Sequence, residues 1–419
     1  MTKAKNFKKI GKLLLLSLFT GLFGGIVGGI FSRLIALITN FRLQNGWLIL
    51  LLPVFAVSIV FIYKKLNIFG VGTDDVLKSV NENPTINGKL TVGIFIASAI
   101  SHLFGASVGR EGAALQMGGG IAAFICKKFK LCEEESKILI KVGMAAVFSA
   151  VFGTPLAALF FALEVTHIGK IHLKSVLPCF LSSFSAYGIA LLIGIHPERF
   201  HLSSAPAFSG KIVWQLAVLS LLCSLLAIGF AHSLHLSEKV AKKLFKNPYI
   251  RITTGGVLIV FLTILVGNQD YNGAGINVIE RIFDPVYINF NSLDYSPFAF
   301  ALKLIFTCIA VAAGFKGGEI VPTLFIGATF GSLIADLIGM PTAFGAALGM
   351  ILLFCGVTDC ILASLCLALE LFSGVGFFYF IPCIIIVFIC SGKISLYSEQ
   401  KYSISFFNLK NIFKGEPTT

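Results

Sequence analysis

The chain has 419 residues, 56% of them hydrophobic and only 13% charged, with a mean hydropathy of +0.91 and a formal net charge of +13. That balance excludes a soluble globular domain and leaves a polytopic membrane protein. The positive excess does not point to nucleic acid, because the basic residues cluster beside apolar runs and no recognition module accompanies them.

Lys3, Lys5, Lys8, Lys9 and Lys12 precede a first apolar run, Leu13 to Thr39, which is too long and too rich in glycine for a cleaved signal peptide. Its Gly21, Gly24, Gly25, Gly28 and Gly29 form small-xxx-small steps that let another helix approach closely. A second run, Trp47 to Tyr63, ends at Lys64 and Lys65. The chain then reaches Gly70-Val71-Gly72-Thr73-Asp74 and a stretch to about Val80 that is too polar to cross a bilayer. This reads as a half-helix starting at the glycines, with Asp74 and Asp75 complementing its N-terminus.

The run Leu90 to Phe104 leads to Gly109-Arg110-Glu111-Gly112, followed by Gly118, Gly119 and Gly120. An ionisable glutamate between glycines in so apolar a setting is costly and marks a functional position. Runs at Ile138 to Val165 and Val176 to Ile195 follow, and the polar stretch His196 to Ser209 separates a first membrane repeat, 1–205, from a second, 206–419, with no separate soluble domain.

The second repeat has runs at Ile212 to Ala231, Gly255 to Gly267, Phe298 to Phe315 and Phe377 to Cys390, several of them short of the roughly 20 residues a span needs. Lys239, Lys242, Lys243 and Lys246 form one basic group and Lys410 with Lys414 another. The positive-inside rule places both termini in the cytoplasm, in a multi-pass protein of the cell membrane surrounded by lipid. Ten cysteines without metal or disulfide spacing read as small buried hydrophobes, so neither metal nor cofactor is expected.

Three segments recur. At an offset of 209 residues, Gly105 meets Gly314, Gly109 meets Gly318, Leu115 meets Leu324 and Gly118 meets Gly327. At 203, Gly273-Ala274-Gly275-Ile276-Asn277 repeats the Gly70 segment, and at 206 the stretch Leu156 to Glu164 meets Leu362 to Glu370. The chain is an internal duplication, parallel or inverted, with glycine-broken helices of the kind that meet near the midplane of transporters and channels.

A half-helix beginning inside the membrane presents unpaired amides and about half a positive charge, which attracts anions. Such starts occur at Gly70, Val71 and Gly72, at Gly109 and Gly112, and at Gly318 to Pro322. Glu111 in a cavity of this kind would compete with the transported anion, and its protonation would empty the seat, making it a gate and a proton carrier.

These residues resemble the CLC family of chloride channels and anion/proton antiporters over almost the whole chain. The family motifs GSGIP, GREGP and GxFxP correspond to Gly70 to Asp74, Gly109 to Ala113 and Gly318 to Pro322, and Tyr397 in SLYSEQ takes the place of the family's site tyrosine. The resemblance implies an all-α membrane protein with a CLC-like inverted repeat of broken and re-entrant helices, usually a homodimer. It implies Glu111 as gate, Tyr397 as a hydroxyl lining the inner anion path, and amides at Glu319, Ile320 and Val321 facing the ion.

The departures bear on the substrate. Val71 replaces the first motif's serine, Asp74 its proline and Ile320 the third motif's phenylalanine, while Val165 stands where chloride/proton antiporters carry an inner glutamate. Together with GEIVP these resemble the fluoride/proton antiporter branch, in which the glutamate aligned with Glu319 takes part in coupling; a residue often threonine there is Val321. The expectation is fluoride export driven by inward protons, with chloride/proton exchange or a passive anion channel as alternatives.

Other readings compete. Glu111 could pair structurally with a nearby cation, Lys316 could neutralise Glu319, and Tyr397 could be an interfacial tyrosine. Glu164 and Glu370, at matching places, suggest a shared structural role at helix ends. Gly105-Ala106-Ser107-Val108-Gly109 fits GxSxG with His102 nearby, but a nucleophile elbow needs a preceding strand, so an intramembrane serine protease is a remote alternative.

Overall fold

A computed structural model describes residues 2–82, 85–284 and 295–403, with side chains from residue 8 onward. Lys410 and Lys414, and the side chains of Lys3 and Lys5, lie outside the described residues.

Among the described residues there are sixteen α-helices, in two sets of eight. The first set is α1 (Thr2–Gln44), α2 (Leu52–Lys65), α3 (Thr73–Asn81), α4 (Lys89–Leu103), α5 (Glu111–Phe129), α6 (Glu133–Phe152), α7 (Pro155–Glu164) and α8 (Leu173–Leu192). The second is α9 (Gly210–Leu244), α10 (Pro248–Val266), α11 (Ile276–Phe283), α12 (Ala299–Ala313), α13 (Ile320–Leu337), α14 (Thr342–Thr358), α15 (Ile361–Leu371) and α16 (Phe377–Ser391). Each helix of the first set has its mate in the second. At 1.5 Å per residue, the 43 residues of α1 reach well beyond a 30 Å hydrocarbon core, whereas α3, α7, α11 and α15, of 8 to 11 residues, cannot cross it.

The repeat is inverted, and the helix ends show why. Glu164, at the C-terminal end of α7, bonds amides at the start of α15, and Glu370, near the C-terminal end of α15, bonds amides at the start of α7. The two helices are therefore antiparallel neighbours. Equivalent helices that run in opposite directions are related by a two-fold axis across them, which for membrane-crossing elements lies in the membrane plane.

Local chemistry sets the breaks. The run Ile138 to Val165 is not one span but two helices, because Gly153, in the left-handed region at φ 73°, ends α6 and Pro155 starts α7. Asp359 (φ 57°) plays the same part after α14. The core is a pair of equivalent glycine crossings. A Cβ on Gly118 would fall on the Gly143 carbonyl, and one on Gly327 would fall on the Gly349 carbonyl, so α5 crosses α6 and α13 crosses α14 with backbones in contact. Large apolar side chains such as Leu15, Phe19, Phe261 and Phe378 remain exposed around this core, as on a lipid-facing surface. The cysteines are free; seven are buried, but Cys132 and Cys390 are exposed.

Candidate functional site

The N-termini of α5 and α13 meet at the symmetry axis. Gly109 N–H donates to the Gly318 carbonyl at 2.6 Å, and Gly318 N–H donates to the Gly109 carbonyl at 2.7 Å. A Cβ on Gly112 would lie 2.7 Å from the Gly318 Cα, so these glycines let two broken helices touch. The Gly109 and Gly318 amides are consumed by this pairing and do not face an ion. The amides without an intrahelical partner are those of the first turns, at Glu111, Gly112 and Ala113 and at Ile320 and Val321; Pro322 has none.

Glu111, fully buried, occupies the α5 side of this junction. Its Oε2 accepts the Arg110 amide at 3.0 Å and its Oε1 lies 3.4 Å from the Arg110 Nε. The carboxylate sits so close to Gly109 that a Cβ there would lie 2.7 Å from Oε2. Arg110 is shared: it also donates to Ser32 Oγ at 3.0 Å and is ion-paired with Glu198. Glu111 is thus ion-paired, but to a guanidinium also held by two other acceptor atoms, one on each of two neighbouring segments, which leaves its carboxylate less firmly held than an exclusive pair would.

Glu319 is the α13 counterpart of Arg110, each standing at the N-cap of its helix. Its Oε2 approaches the position of a Cβ on Gly112 to 3.4 Å, so the carboxylates of residues 111 and 319 flank the Gly109–Gly318 bridge. Lys316 stands within electrostatic range of Glu319. Its Nζ donates to the Val71 carbonyl at 3.4 Å and lies 4.5 Å from the centre of the Tyr63 ring.

A cavity of about 390 Å³ opens beside Glu319. Gly70, Gly72, Thr73, Asp74, Gln116, Lys316, Glu319 and Tyr397 line it, together with Glu238 and Lys242 of α9. Tyr397 is 5% exposed, its hydroxyl has no hydrogen-bond partner among the described residues, and it stands within electrostatic range of Glu319 and Glu111. A buried hydroxyl left without a partner is a donor available to a bound anion. The structure thus brings Gly70, Gly72, Glu319 and Tyr397 to one cavity. Val71, Gly109, Glu111, Gly112, Gly318, Ile320 and Val321 are not among its lining residues.

The chain carrying Tyr397 is held in place from both sides. Asp74 accepts from the Ser398 amide and hydroxyl, Asn81 Nδ2 donates to the Glu399 carbonyl at 3.0 Å, and a two-residue parallel ladder joins β1 (His167–Ile168) to β2 (Lys401–Tyr402). Asp75, not Asp74, caps α3, accepting the Gly72 amide at 2.8 Å. Asp74, Gln116 and Ser398 were not singled out from sequence as site residues, because their proximity to Tyr397 exists only in the fold. Gln116 Nε2 donates to Thr73 Oγ1 at 3.1 Å, tying α3 to α5.

Ser107 and His102 do not form a nucleophile and base. The Ser107 hydroxyl faces Thr307 Oγ1 at 3.2 Å, and His102 Nδ1 faces the Ser98 carbonyl at 2.8 Å. Among the described residues no three His, Cys, Asp or Glu side chains gather as metal ligands.

An inverted repeat of broken helices, with half-helix N-termini and two carboxylates at the axis, defines a membrane transport protein of the ion-carrying kind. The chain matches the family described as "Voltage gated chloride channel" over residues 55–393, and it belongs to that family, the CLC family. It is 30% identical over 375 residues to a chloride/fluoride channel protein of Pseudomonas syringae pv. tomato, covering 87% of this chain and 80% of the relative. The crystal structure of a CLC-type fluoride/proton antiporter matches with a TM-score of 0.88 and 30% identity, over 95% of this chain and 99% of that one. A slow cyanobacterial Cl−/H+ antiporter shares the fold, with a TM-score of 0.77 and 18% identity over 96% and 98% of the two chains.

Proposed function

We propose that this chain is a fluoride/proton antiporter that exports fluoride from the cytoplasm against inward protons. One observation carries the reading. Glu111 and Glu319 flank the junction of two helix N-termini, and the unpaired Tyr397 hydroxyl waits in the cavity beside Glu319. In this mechanism the first-turn amides of α5 and α13 and the Tyr397 hydroxyl receive a dehydrated anion. Glu111 swings into the anion's seat when charged and leaves it when protonated, and Glu319 shares the proton. Protons need the second carboxylate because Val165, fully buried, carries no titratable group, and the neighbouring Glu164 carboxylate is taken by the α15 amides.

The names of the two relatives at 30% identity, one a chloride/fluoride channel protein and one a fluoride/proton antiporter, favour fluoride. The first also names chloride, so chloride carriage is the second reading. The cavity mouth, where Lys242 pairs with Glu238, faces the cytoplasm together with both termini, the repeats divide at 205/206, and the unit in the lipid bilayer is a homodimer with one pathway per subunit. One-for-one exchange moves two charges per cycle, so a potential of 100 mV contributes about 4.6 kcal/mol.

Liposomes with a fluoride electrode and a proton readout test the reading. Fluoride should move much faster than chloride and carry protons the other way, and Glu111→Gln should abolish the proton movement. Equal chloride flux rejects the fluoride assignment, and coupled exchange in Glu111→Gln removes the gate.

A further inference from the structure

The two-fold axis gives the cavity beside Tyr397 a counterpart. Where the first is lined by the Gly70–Thr73 segment, the second is lined by its repeat mates Ala274, Gly275, Ile276 and Asn277, and inversion places it at the opposite face of the membrane. It measures about 220 Å³, room for a small anion with several waters. Glu198, Asp270, Arg110, Arg42 and His102 complete its charged and titratable lining.

The charges here do not cancel in pairs. Glu198 is taken by Arg110, and Asp270 by Arg281 at 2.7 Å. Arg42, 2% exposed, has no carboxylate partner among the described residues. It makes one hydrogen bond, from Nη1 to the His102 carbonyl at 3.3 Å, and its Nε has no partner. A buried cation left without a counter-ion is strongly disfavoured unless something else supplies the negative charge.

The surroundings are arranged for an anion. Lys303, wholly buried, donates to the carbonyls of Tyr271 and Gly273 at 3.1 and 2.6 Å, and Asn272 Nδ2 donates to the Gly105 carbonyl at 3.0 Å. Carbonyl oxygens that would repel an anion are thereby covered. The Ile276 and Asn277 amides, at the start of α11, have no intrahelical partner. Gly273, at φ 59°, lets the guanidinium close in, since a Cβ there would lie 2.9 Å from Nη1. His102 donates through Nδ1 to the Ser98 carbonyl, so its buried Nε2 is an acceptor and offers the anion no contact.

We propose that this cavity is a second anion site, holding one small monovalent anion with part of its water shell against Arg42, at the mouth opposite the Tyr397 cavity. It rests on the transport reading for its purpose, as the place where the exported anion regains water, but not for its existence. Arg42 supplies the charge and the α11 amides complete the cradle.

The test is anomalous diffraction from crystals of the full chain soaked in bromide. A bromide peak should lie against the Arg42 guanidinium, separate from any peak at the α5 and α13 first turns, and should vanish in Arg42→Gln but persist in Arg42→Lys. In liposomes, the external bromide concentration that half-inhibits fluoride efflux should rise about tenfold in Arg42→Gln, the loss of one charge-assisted contact. No peak at Arg42 in the wild-type chain overturns the proposal without help from any variant, as does a peak that survives Arg42→Gln. A peak at Arg42 in a protein that moves no fluoride supports the site and rejects the transport reading instead.

Discussion

Glu164 and Glu370 each bond the start of the helix that carries the other. Glu164 accepts the Leu362 and Ala363 amides at 3.1 and 2.8 Å, and Glu370 accepts those of Leu156 and Ala157 at 2.9 and 2.8 Å. Each charge is badly placed with respect to its own helix, whose C-terminal end is negative, and well placed against its antiparallel neighbour. The reciprocal pair locks the two repeats together near the axis.

Glu164→Gln and Glu370→Gln should therefore each destabilise the protein, by about 1–3 kcal/mol, since an amide replaces one acceptor with a donor facing N–H groups. Thermal unfolding in detergent measures this. The proton-to-anion ratio should not change in either variant, and an altered ratio at unchanged stability would give Glu164 a place in the proton path.

Gly318→Ala should fail more completely. The new Cβ would overlap the Gly112 amide and press on the Gly109–Gly318 bridge, and backbone cannot yield as a side-chain tip can. Overpacking of this kind costs about 1–3 kcal/mol or more. The expected outcome is poor yield of folded protein and loss of flux in what folds; wild-type flux from Gly318→Ala would mean that the junction opens readily.

Much of this organisation is visible in the sequence, in particular places. The matched segments around Gly109 and Gly318 locate α5 and α13, the two helices whose N-termini meet, and the Leu156 and Leu362 segments locate α7 and α15. An offset is only a number, however, and carries no direction, so inversion becomes readable only from caps such as Glu164. No apolar span is assigned from sequence between residues 320 and 371, although α13, α14 and α15 lie there and α13, of 18 residues, is long and apolar enough to cross. Arg42 lies just past the first apolar run, and its burial emerges only when the segments of Gly105 and Gly273 close around its guanidinium. Lys303 did leave a signal, as a lysine within the apolar run Phe298 to Phe315.

Asp74→Asn should reproduce part of the loss caused by removing the Tyr397 hydroxyl. Asp74 accepts from the Ser398 amide and side chain, next to Tyr397, and an asparagine weakens both bonds. A loss of about 1–2 kcal/mol in holding that segment corresponds to roughly a five- to thirty-fold fall in fluoride flux if the hydroxyl must be in place for each cycle. Tyr397→Phe in the Asp74→Asn background should then add little, and independent losses in the double variant would separate the two residues.

Glu198→Gln addresses how firmly Glu111 is held. Arg110 divides its charge between Glu198 and Glu111, so neutralising Glu198 leaves the guanidinium to Glu111 alone. The charged Glu111 is then stabilised where it sits, by about 1 kcal/mol if the site behaves like other partly shielded pairs. Because the cycle requires Glu111 to leave, turnover should fall about fivefold while each anion still exchanges for the same number of protons. Flux of fluoride and protons measured together separates the outcomes. A parallel fall in both supports Arg110 as the latch on the gate, whereas faster exchange would show that Glu198 holds Arg110 against Glu111.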